Sequence, residues 1–213
     1  MKFDRLIELV GEQGWFDLAT LVQLADERRE SLCMQLHRWC ASGKVLALRR
    51  GMYALAERYR RGPLHAAELA NVLHAPSYLS GEWALGYYGL IPERVVTYTS
   101  VTTKAPRQFE NAFGVFAYRH VKPAAFFGYR GVQIEGRRVV LATAEKALLD
   151  LWYLSSGDWS AERIAEMRFQ NIELIRSGVL RREAPRLASP RVRKAASTFL
   201  DWVVDHREEG IEL

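Results

Sequence analysis

The chain has 213 residues and a formal net charge of +5, from 30 lysines and arginines against 25 aspartates and glutamates. Its 49% hydrophobic and 26% charged residues match an ordinary globular composition, which excludes disordered and fibrous classes. No apolar run reaches the roughly 18–20 residues of a membrane span, the N-terminus has no signal-peptide core, and two cysteines cannot form a disulfide framework. We therefore expect a cytoplasmic protein with no membrane partner.

The positive charge is concentrated in two segments. Residues 26–62 contain nine basic and four acidic side chains, and residues 176–194 contain seven basic and one acidic. Residues 63–175 carry eleven of each, whereas residues 195–213 carry one basic and five acidic. Clustered lysines and arginines are typical of surfaces that bind polyanions, so the pattern predicts two basic patches and an acidic C-terminal tail.

Three helices and a β-hairpin are predicted for the first sixty residues. Apolar side chains recur at helical spacing over 3–10, and Asp17 can cap a second helix over 18–25. A third helix is predicted over 28–42, where a polar stripe lies opposite an apolar face. Two short β-prone runs then flank a glycine-containing turn at 49–51, which indicates a hairpin with a basic tip.

This order of elements is that of a winged helix-turn-helix domain. In such a domain the third helix lies in the major groove, and the hairpin, or wing, contacts the DNA backbone or the adjacent minor groove. Arginine and glutamine can make bidentate contacts with base edges, and serine suits phosphate oxygens. The predicted DNA-binding residues are Arg28, Arg29, Ser31, Gln35, Arg38, Ser42, Lys44, Arg49 and Arg50.

A second interpretation of the same pattern stays open. Winged domains also bind other proteins, and every amphipathic helix has a polar, solvated face. The first sixty residues are therefore also compatible with an interaction adaptor that does not read DNA.

Cys33 and Cys40 lie seven residues apart on the predicted apolar face of the third helix. We interpret both as core residues, because free cysteine behaves as a small apolar side chain. Metal ligation would need further cysteine or histidine ligands, and only His37 is close in sequence. We expect neither a bound metal nor a cofactor.

A mixed α and β region is predicted after residue 62, where a linker with several arginines ends. Its β-rich stretches include a hairpin around Gly136, and Thr143 can cap the helix that follows. Ser77 or Ser80 can cap an earlier helix that stops at Gly89. The predicted helices cover 63–73, 77–89 and 143–154, and the predicted strands cover 95–103, 113–121, 132–134 and 139–141.

Two sequence strings in this region resemble the AbiEi family of antitoxins. The first is Pro76-Ser77-Tyr78-Leu79-Ser80 with Ala84-Leu85 and Gly89-Leu90 after it, and the second is Glu145-Lys146-Ala147-Leu148-Leu149-Asp150-Leu151. Together with the wing and linker before them, they extend the resemblance over about residues 1–155. Residues 160–213 are similar to the family only in being helical and basic.

The resemblance implies a transcriptional regulator of a type IV toxin–antitoxin system, of the kind first described in abortive infection. The family's winged domain binds double-stranded DNA at repeats in the promoter of its own operon and represses it. The resemblance also implies a C-terminal domain that counters a nucleotidyltransferase-like toxin, for which direct contact with the toxin is not required. On this basis we expect an α+β protein with a winged helix at 1–62 and an antitoxin domain at 63–213 that ends in helices.

No sequence motif points to catalysis. The five histidines form no HExxH-type motif, and the sequence has no Walker A, GxGxxG or GxSxG string. Glu135-Gly136-Arg137 is similar to the Glu-x-Lys corner of metal-dependent nucleases, yet arginine replaces lysine and Gly136 suits a turn. Glu145, with Lys146 and Asp150, fits helix capping and ion pairing. We expect no enzymatic activity, and a metal-dependent nuclease is the least favoured alternative.

Two helices are predicted at the C-terminal end, one from Ser160 to about Ile175 and one from Ser189-Pro190 to near Gly210. The basic side chains between and within them could form a second surface for DNA or RNA. The alternatives are a solvated face or a partner for the acidic tail, Asp201 to Glu212, and the sequence does not decide between them. This possible second basic surface comprises Arg176, Arg181, Arg182, Arg186, Arg191, Arg193 and Lys194.

Overall fold

The computed structural model describes residues 1–209, with side chains as far as Asp205, and its architecture is mixed α+β as the sequence predicts. Asp17 caps the second helix as expected, because its carboxylate accepts a hydrogen bond from the Thr20 backbone N–H at 2.9 Å. The first elements are α1 (Phe3–Val10), β1 (Trp15–Asp17), α2 (Leu18–Leu24) and α3 (Arg29–Ala41).

The predicted hairpin follows α3. It consists of β2 (Val45–Arg49) and β3 (Met52–Leu55), and β3 also pairs with β1, so that the antiparallel sheet has the order β1-β3-β2. Gly51 in the turn has φ +76°, a conformation that glycine adopts without strain. Its carbonyl accepts a hydrogen bond from the Leu18 backbone N–H at 2.8 Å, which fixes the turn against the start of α2.

The buried apolar side chains form two groups. The smaller group joins α1, α2 and α3, with Leu6, Leu21 and Leu32 fully buried. The larger group contains the rest of the chain's core and also takes in Leu48 and Met52 of the hairpin. Because the hairpin packs into the larger group, the division at residue 62 stays a prediction.

A six-stranded sheet of order β6-β7-β5-β4-β9-β8 forms the centre of the larger part. β4 pairs in parallel with β9, β5 pairs in parallel with β7, and the other neighbours are antiparallel. Its strands are β4 (Ser77–Leu79), β5 (Thr97–Thr102), β6 (Arg107–Asn111), β7 (Gly114–His120), β8 (Tyr129–Ile134) and β9 (Arg137–Ala142).

Helices cover both faces of this sheet. The Tyr118 hydroxyl donates to the Ala70 carbonyl of α4 at 2.7 Å, whereas the Tyr78 hydroxyl reaches Asp150 of α6 on the other face. Three further helices follow α6, and among the described residues none is long and apolar enough to cross a membrane. The helices are α4 (Ala66–Val72), α5 (Gly81–Tyr87), α6 (Ala144–Leu154), α7 (Ala161–Glu166), α8 (Ser177–Glu183) and α9 (Pro190–Glu209).

Three element predictions are wrong. Ser77–Leu79 is a central strand rather than the start of a helix, because its hydroxyl groups find buried acceptors and do not cap. β6 was not predicted. The helix expected from Ser160 ends at Glu166, since Arg168 and Asn171 take left-handed backbone conformations, and the region up to Ser189 holds a further helix, α8. The predicted end of α9 near Gly210 lies outside the described residues.

Asn71 joins α4 to the sheet. Its side-chain Nδ2 donates to the Val140 carbonyl at 3.0 Å, and its Oδ1 accepts from the Val140 backbone N–H at 2.6 Å. Both bonds are part-buried, so one asparagine satisfies both backbone groups of a strand residue.

We expect Asn71→Ala to destabilise the fold by about 1–3 kcal/mol, because it leaves a part-buried backbone donor and acceptor without partners. The measurement is the free energy of unfolding in urea. Gln108→Ala, at an exposed position of β6, is the matched control and should change stability by less than about 0.5 kcal/mol. Equal stability of the two variants would contradict this role for Asn71.

Candidate nucleic-acid interface

An open groove of about 530 Å³ lies between the hairpin turn, the start of α2 and the first residue of α3. It brings together three of the nine predicted DNA-binding residues, Arg29, Arg49 and Arg50. Each comes from a different point of the chain: the N-terminus of α3, the end of β2 and the turn. The remaining residues that line the groove are Trp15, Asp17, Leu18, Ala19, Gly51, Met52, Val72 and Ala75.

Two of the groove arginines, Arg29 and Arg50, are exposed, and within the described residues neither pairs with a carboxylate. Arg49 is half-buried: its Nη1 donates to the Arg50 carbonyl at 3.0 Å, and its Nε is buried and has no hydrogen-bond partner among the described residues. All three arginines line the groove and give it positive charge.

Asp17 is the one carboxylate among the residues that line the groove. Burial raises its pKa, but the hydrogen bonds that it accepts from Thr20 outweigh this effect and hold the pKa below its ordinary value. The carboxylate is thus ionised and committed to capping α2. The three arginines leave the groove with an excess of positive charge.

Part of the predicted α3 stripe is occupied within the protein. Ser31 Oγ and Gln35 Nε2 both donate to Glu27 Oε2, at 3.2 and 2.8 Å, and the Met1 amino group pairs with the same carboxylate. Ser31 and Gln35 are half-buried as a result. The Ser31 hydroxyl and the Gln35 Nε2 are thus engaged with Glu27 rather than presented to solvent, while Gln35 Oε1 is buried and has no hydrogen-bond partner among the described residues.

The exposed face of α3 is rotated relative to the sequence prediction. Leu32 and Leu36 face the core, so the opposite side of the helix carries Met34 and His37, and Met34 is 59% exposed. Cys33, predicted to be buried, is exposed, and Cys40 is half-buried, because the core contact involves the two leucines. Of the predicted polar stripe, Ser31 and Gln35 lie on the half-buried flank of the helix, whereas Arg38 is exposed. The exposed face comprises Glu30, Met34, His37, Arg38 and Ala41.

The remaining predicted residues lie at the ends of α3. Arg28 is exposed at its N-cap position, and Ser42 donates from Oγ to the Trp39 carbonyl at 3.2 Å at the C-terminal end. Lys44 Nζ lies 5.0 Å from the centre of the Phe3 ring of α1. Lys44 and Ser42 therefore lie at the opposite end of α3 from Arg29.

Four of the seven cations in the basic stretch 176–194 pair with three neighbouring carboxylates. Arg176 Nε binds Glu145 Oε1 at 2.8 Å, and both Arg182 and Arg186 pair with Glu183. In addition, Lys194 lies 3.4 Å from Asp158, and Arg191 donates to the Tyr153 carbonyl at 2.9 Å.

Three cations of this stretch, Arg181, Arg191 and Arg193, have no ion-pair partner in the described part of the chain. Arg181 and Arg193 line a small cleft of about 230 Å³ together with Asp201 of the acidic tail. The tail continues to Glu212, and its last residues, from Gly210 on, lie outside the described residues. The stretch is therefore a set of mostly paired side chains rather than a uniform basic surface.

The two sequence strings at 76–90 and 145–151 meet at a buried polar cluster. Ser80 Oγ and Tyr78 Oη both donate to Asp150 Oδ2, at 2.7 and 3.0 Å, and Lys146 Nζ pairs with Asp150 Oδ1. Lys146 and Asp150 are 1% and 0% exposed. Burial lowers the pKa of Lys146 and raises those of Asp150 and Tyr78. The sequence predicted the Lys146–Asp150 ion pair but not its burial or its hydroxyl partners.

The two glutamates considered for catalysis have separate partners. Glu135, in the β8–β9 turn with φ +48°, lies 2.5 Å from His65 Nδ1, and Glu145 forms an ion pair with Arg176. Within the described residues, no three histidine, cysteine, aspartate or glutamate side chains are grouped so that they could hold a metal ion.

We expect the Glu145–Arg176 pair to make stability depend on pH. Burial would raise the pKa of Glu145, but hydrogen bonds from Arg176 outweigh it and hold the pKa below its ordinary value of 4.5. The contribution of the pair is therefore complete above pH 4.5 and is lost as the pH falls through the lower, folded-state pKa. Arg176→Ala should reduce the free energy of unfolding at pH 7, and this difference from wild type should vanish near the acid limit.

The measurement is urea unfolding at a series of pH values, with Arg181→Ala as the control. Arg181 lies on the same helix and is exposed, and within residues 1–209 it has no acidic partner. A constant difference between wild type and Arg176→Ala at every pH would rule out this ion pair as the cause.

Neither a scan of the chain against protein-family models nor a search of curated proteins gives a match. The geometry of the groove and the charge around it are therefore the observations that bear on function. The groove lies between the N-terminus of α3 and the tip of the β2–β3 hairpin, and Arg29, Arg49 and Arg50 line it. The buried cluster connects β4 and the start of α5 to α6.

Proposed function

We propose that the protein is a sequence-specific DNA-binding repressor of its own operon and acts as the antitoxin of a type IV toxin–antitoxin system. The observation that carries this proposal is the groove in which Arg29 of α3 meets Arg49 and Arg50 of the hairpin. In this proposal the chain binds promoter repeats in double-stranded DNA and has no catalytic activity of its own.

The first 55 residues support a winged helix-turn-helix assignment. The order α1-β1-α2-α3-β2-β3, with a sheet of order β1-β3-β2, matches a three-helix unit followed by a wing. In that arrangement α3 is the recognition helix, and its exposed face would lie in the major groove. Arg38 on this face is able to make a bidentate contact with guanine.

The hairpin arginines suit the DNA backbone. Arginine's planar guanidinium donates two parallel hydrogen bonds to phosphate oxygens, and Arg50 is exposed at the turn. The turn is held by the Leu18–Gly51 backbone bond, so little conformational freedom is lost when DNA binds. Contacts of this kind position the protein on the duplex, while the exposed face of α3 supplies sequence readout.

The antitoxin part of the proposal rests on the resemblance of the two sequence strings. The string at 76–90 forms β4 and α5, the string at 145–151 forms most of α6, and buried hydrogen bonds connect them. The strings thus belong to one structural unit, the larger part of the chain. We propose that this unit counters a nucleotidyltransferase-like toxin, and direct contact between the two proteins is not required.

We expect Arg29→Ala/Arg50→Ala to weaken binding to the chain's own upstream DNA because two phosphate contacts are lost. The slope of log affinity against log salt concentration should become shallower by about 0.9 for each lost contact. The measurement is an electrophoretic mobility or anisotropy titration at several salt concentrations.

Arg168→Ala is the matched control for this variant. Arg168 is an exposed arginine that pairs with Glu93 at 2.7 Å, away from the groove, so its loss should leave the salt dependence unchanged. If wild type binds no upstream fragment at moderate salt, the repressor assignment is wrong. A partner protein that copurifies in fixed ratio with both wild type and the double variant would instead favour the interaction adaptor.

Repression and protection from the toxin should be separable. We expect Arg29→Ala/Arg50→Ala to lose repression of a promoter reporter yet still restore growth to cells that express the toxin from an independent promoter, because the substitutions leave the larger part intact. Cells with toxin alone provide the control. If the double variant lost protection together with repression, the two functions would not be separable in this way. An operon that contains no gene for a nucleotidyltransferase-like protein would contradict the antitoxin role.

A further inference from the structure

The loop between β5 and β6 carries two cations that the sequence analysis did not single out. Lys104 lies in the loop, and Arg107 is the first residue of β6. Both side chains are exposed, and no carboxylate in the described part of the chain pairs with either of them. This contrasts with the 176–194 stretch, where most cations have acidic neighbours.

Two histidines hold this loop in place. His74 Nε2 donates to the Ala105 carbonyl at 3.0 Å, and His120 Nδ1 donates to the Lys104 carbonyl at 3.0 Å. The Lys104 backbone N–H also donates to Thr102 Oγ1 at 3.1 Å. The loop backbone is thus fixed from three sides, so that Lys104 and Arg107 project from a rigid base.

The hairpin lies beside this loop. Asn111 Nδ2 at the far end of β6 donates to the Leu48 carbonyl of β2 at 3.1 Å. Burial raises the pKa of Tyr118, and the charge of Arg49 partly counteracts this rise. Tyr118 is the cross-strand neighbour of Arg107. Strand β2 of the hairpin therefore lies beside β6, the strand that begins at Arg107.

The groove provides a second link between the two basic sites. Val72 and Ala75 form its wall on the side of the larger part, and His74 lies between them in the chain. His74 is hydrogen-bonded to the loop at Ala105, so its side chain connects the wall of the groove to the loop.

We propose that a DNA duplex bound in the groove continues across Lys104 and Arg107, which form a second contact with its backbone. The proposal rests on the proposed function, because the duplex must first bind at α3 and the hairpin. Exposed cations without acidic partners raise the local potential toward a polyanion, and a rigid backbone keeps the cost of ordering them small.

The size of the added contact follows from strand geometry. Arg107 and Asn111 are four residues apart on β6, which corresponds to about 13 Å at about 3.3 Å per residue. One base pair occupies about 3.4 Å along the duplex. Arg107 is thus about four base-pair rises from the end of β6 that contacts the hairpin, and we expect the second contact to need a flank of about that length.

The test measures the DNA affinity of wild type and of Lys104→Ala/Arg107→Ala. The duplexes contain the operator and a flanking segment that is lengthened by one base pair at a time. Wild-type affinity should rise until the flank extends about four base pairs past the hairpin contact, and the slope against salt should steepen by about 1.8 for two phosphates. The double variant should bind the shortest duplex as wild type does and gain nothing from the flank. Lys104→Arg/Arg107→Lys should restore the gain.

Arg119→Ala is the matched control. Arg119 neighbours Tyr118 on β7 but lies on the opposite face of the sheet, where it lines a cavity with Leu151 and Leu154 of α6. Arg119→Ala removes one positive charge outside the loop and should leave the gain from the flank intact.

The outcomes separate this inference from the proposed function. If wild type binds the operator but Lys104→Ala/Arg107→Ala retains the full gain from the flank, the second contact does not exist while DNA binding stands. If wild type binds no duplex, the proposed function fails first. Capture of an acidic peptide by wild type with an affinity that equals that for the long duplex would overturn DNA as the occupant of this surface.

Discussion

The arrangement of the larger part depends on one buried ion pair, Lys146–Asp150. Taking both charges out of water costs several kcal/mol per ion, and the cost is recovered only if every remaining polar atom is satisfied. Asp150 meets this condition through Tyr78 and Ser80, while Lys146 Nζ lies 4.8 Å from the Phe127 ring. Neither charge can be kept without its partners, so the pair fixes α6 against β4 and the start of α5. Removing either ion alone would leave the other charge buried in the core without a partner.

This fixed centre determines where the basic surfaces lie. β4 pairs with β5 and β9, so that the position of β4 sets the end of β5 at Thr102, from which the loop to β6 departs. Thr102 Oγ1 donates to the Pro76 carbonyl at 2.7 Å, immediately before β4. The loop that carries Lys104 is therefore attached next to β4, the strand whose Tyr78 donates to Asp150 of the buried pair. β6 in turn supports the hairpin through Asn111, so the core and the groove are connected by a short chain of hydrogen bonds.

The sequence alone predicts those elements that neighbouring residues determine, such as an amphipathic helix or a capped helix start. Helix α1, the Asp17 and Thr143 caps and the glycine turn at 136 each follow from periodicity or from a capping side chain, and the structure confirms them. β4 could not be found in this way, because its hydroxyl residues look like helix caps until their acceptors on other elements are known. The exposed face of α3 was misplaced for a similar reason: the Met1 amino group and Glu27 cover its flank, and a contact with the chain terminus leaves no periodic signal.

Charge counted along the chain proved a poor guide to charge on the surface. The densest basic segment, 176–194, meets Glu145, Glu183 and Asp158 once the helices pack, and these three carboxylates offset part of its seven positive charges. The middle region is neutral by count, yet several of its acids pair with cations on other elements, and Lys104 and Arg107 have no carboxylate partner among the described residues. A polyanion responds to the potential outside the molecule and not to composition. The short pair has a stronger claim to the DNA backbone than the longer run near the C-terminus, because its loop is bound at Ala105 by His74, next to Ala75 of the groove wall, and none of residues 176–194 lines the groove.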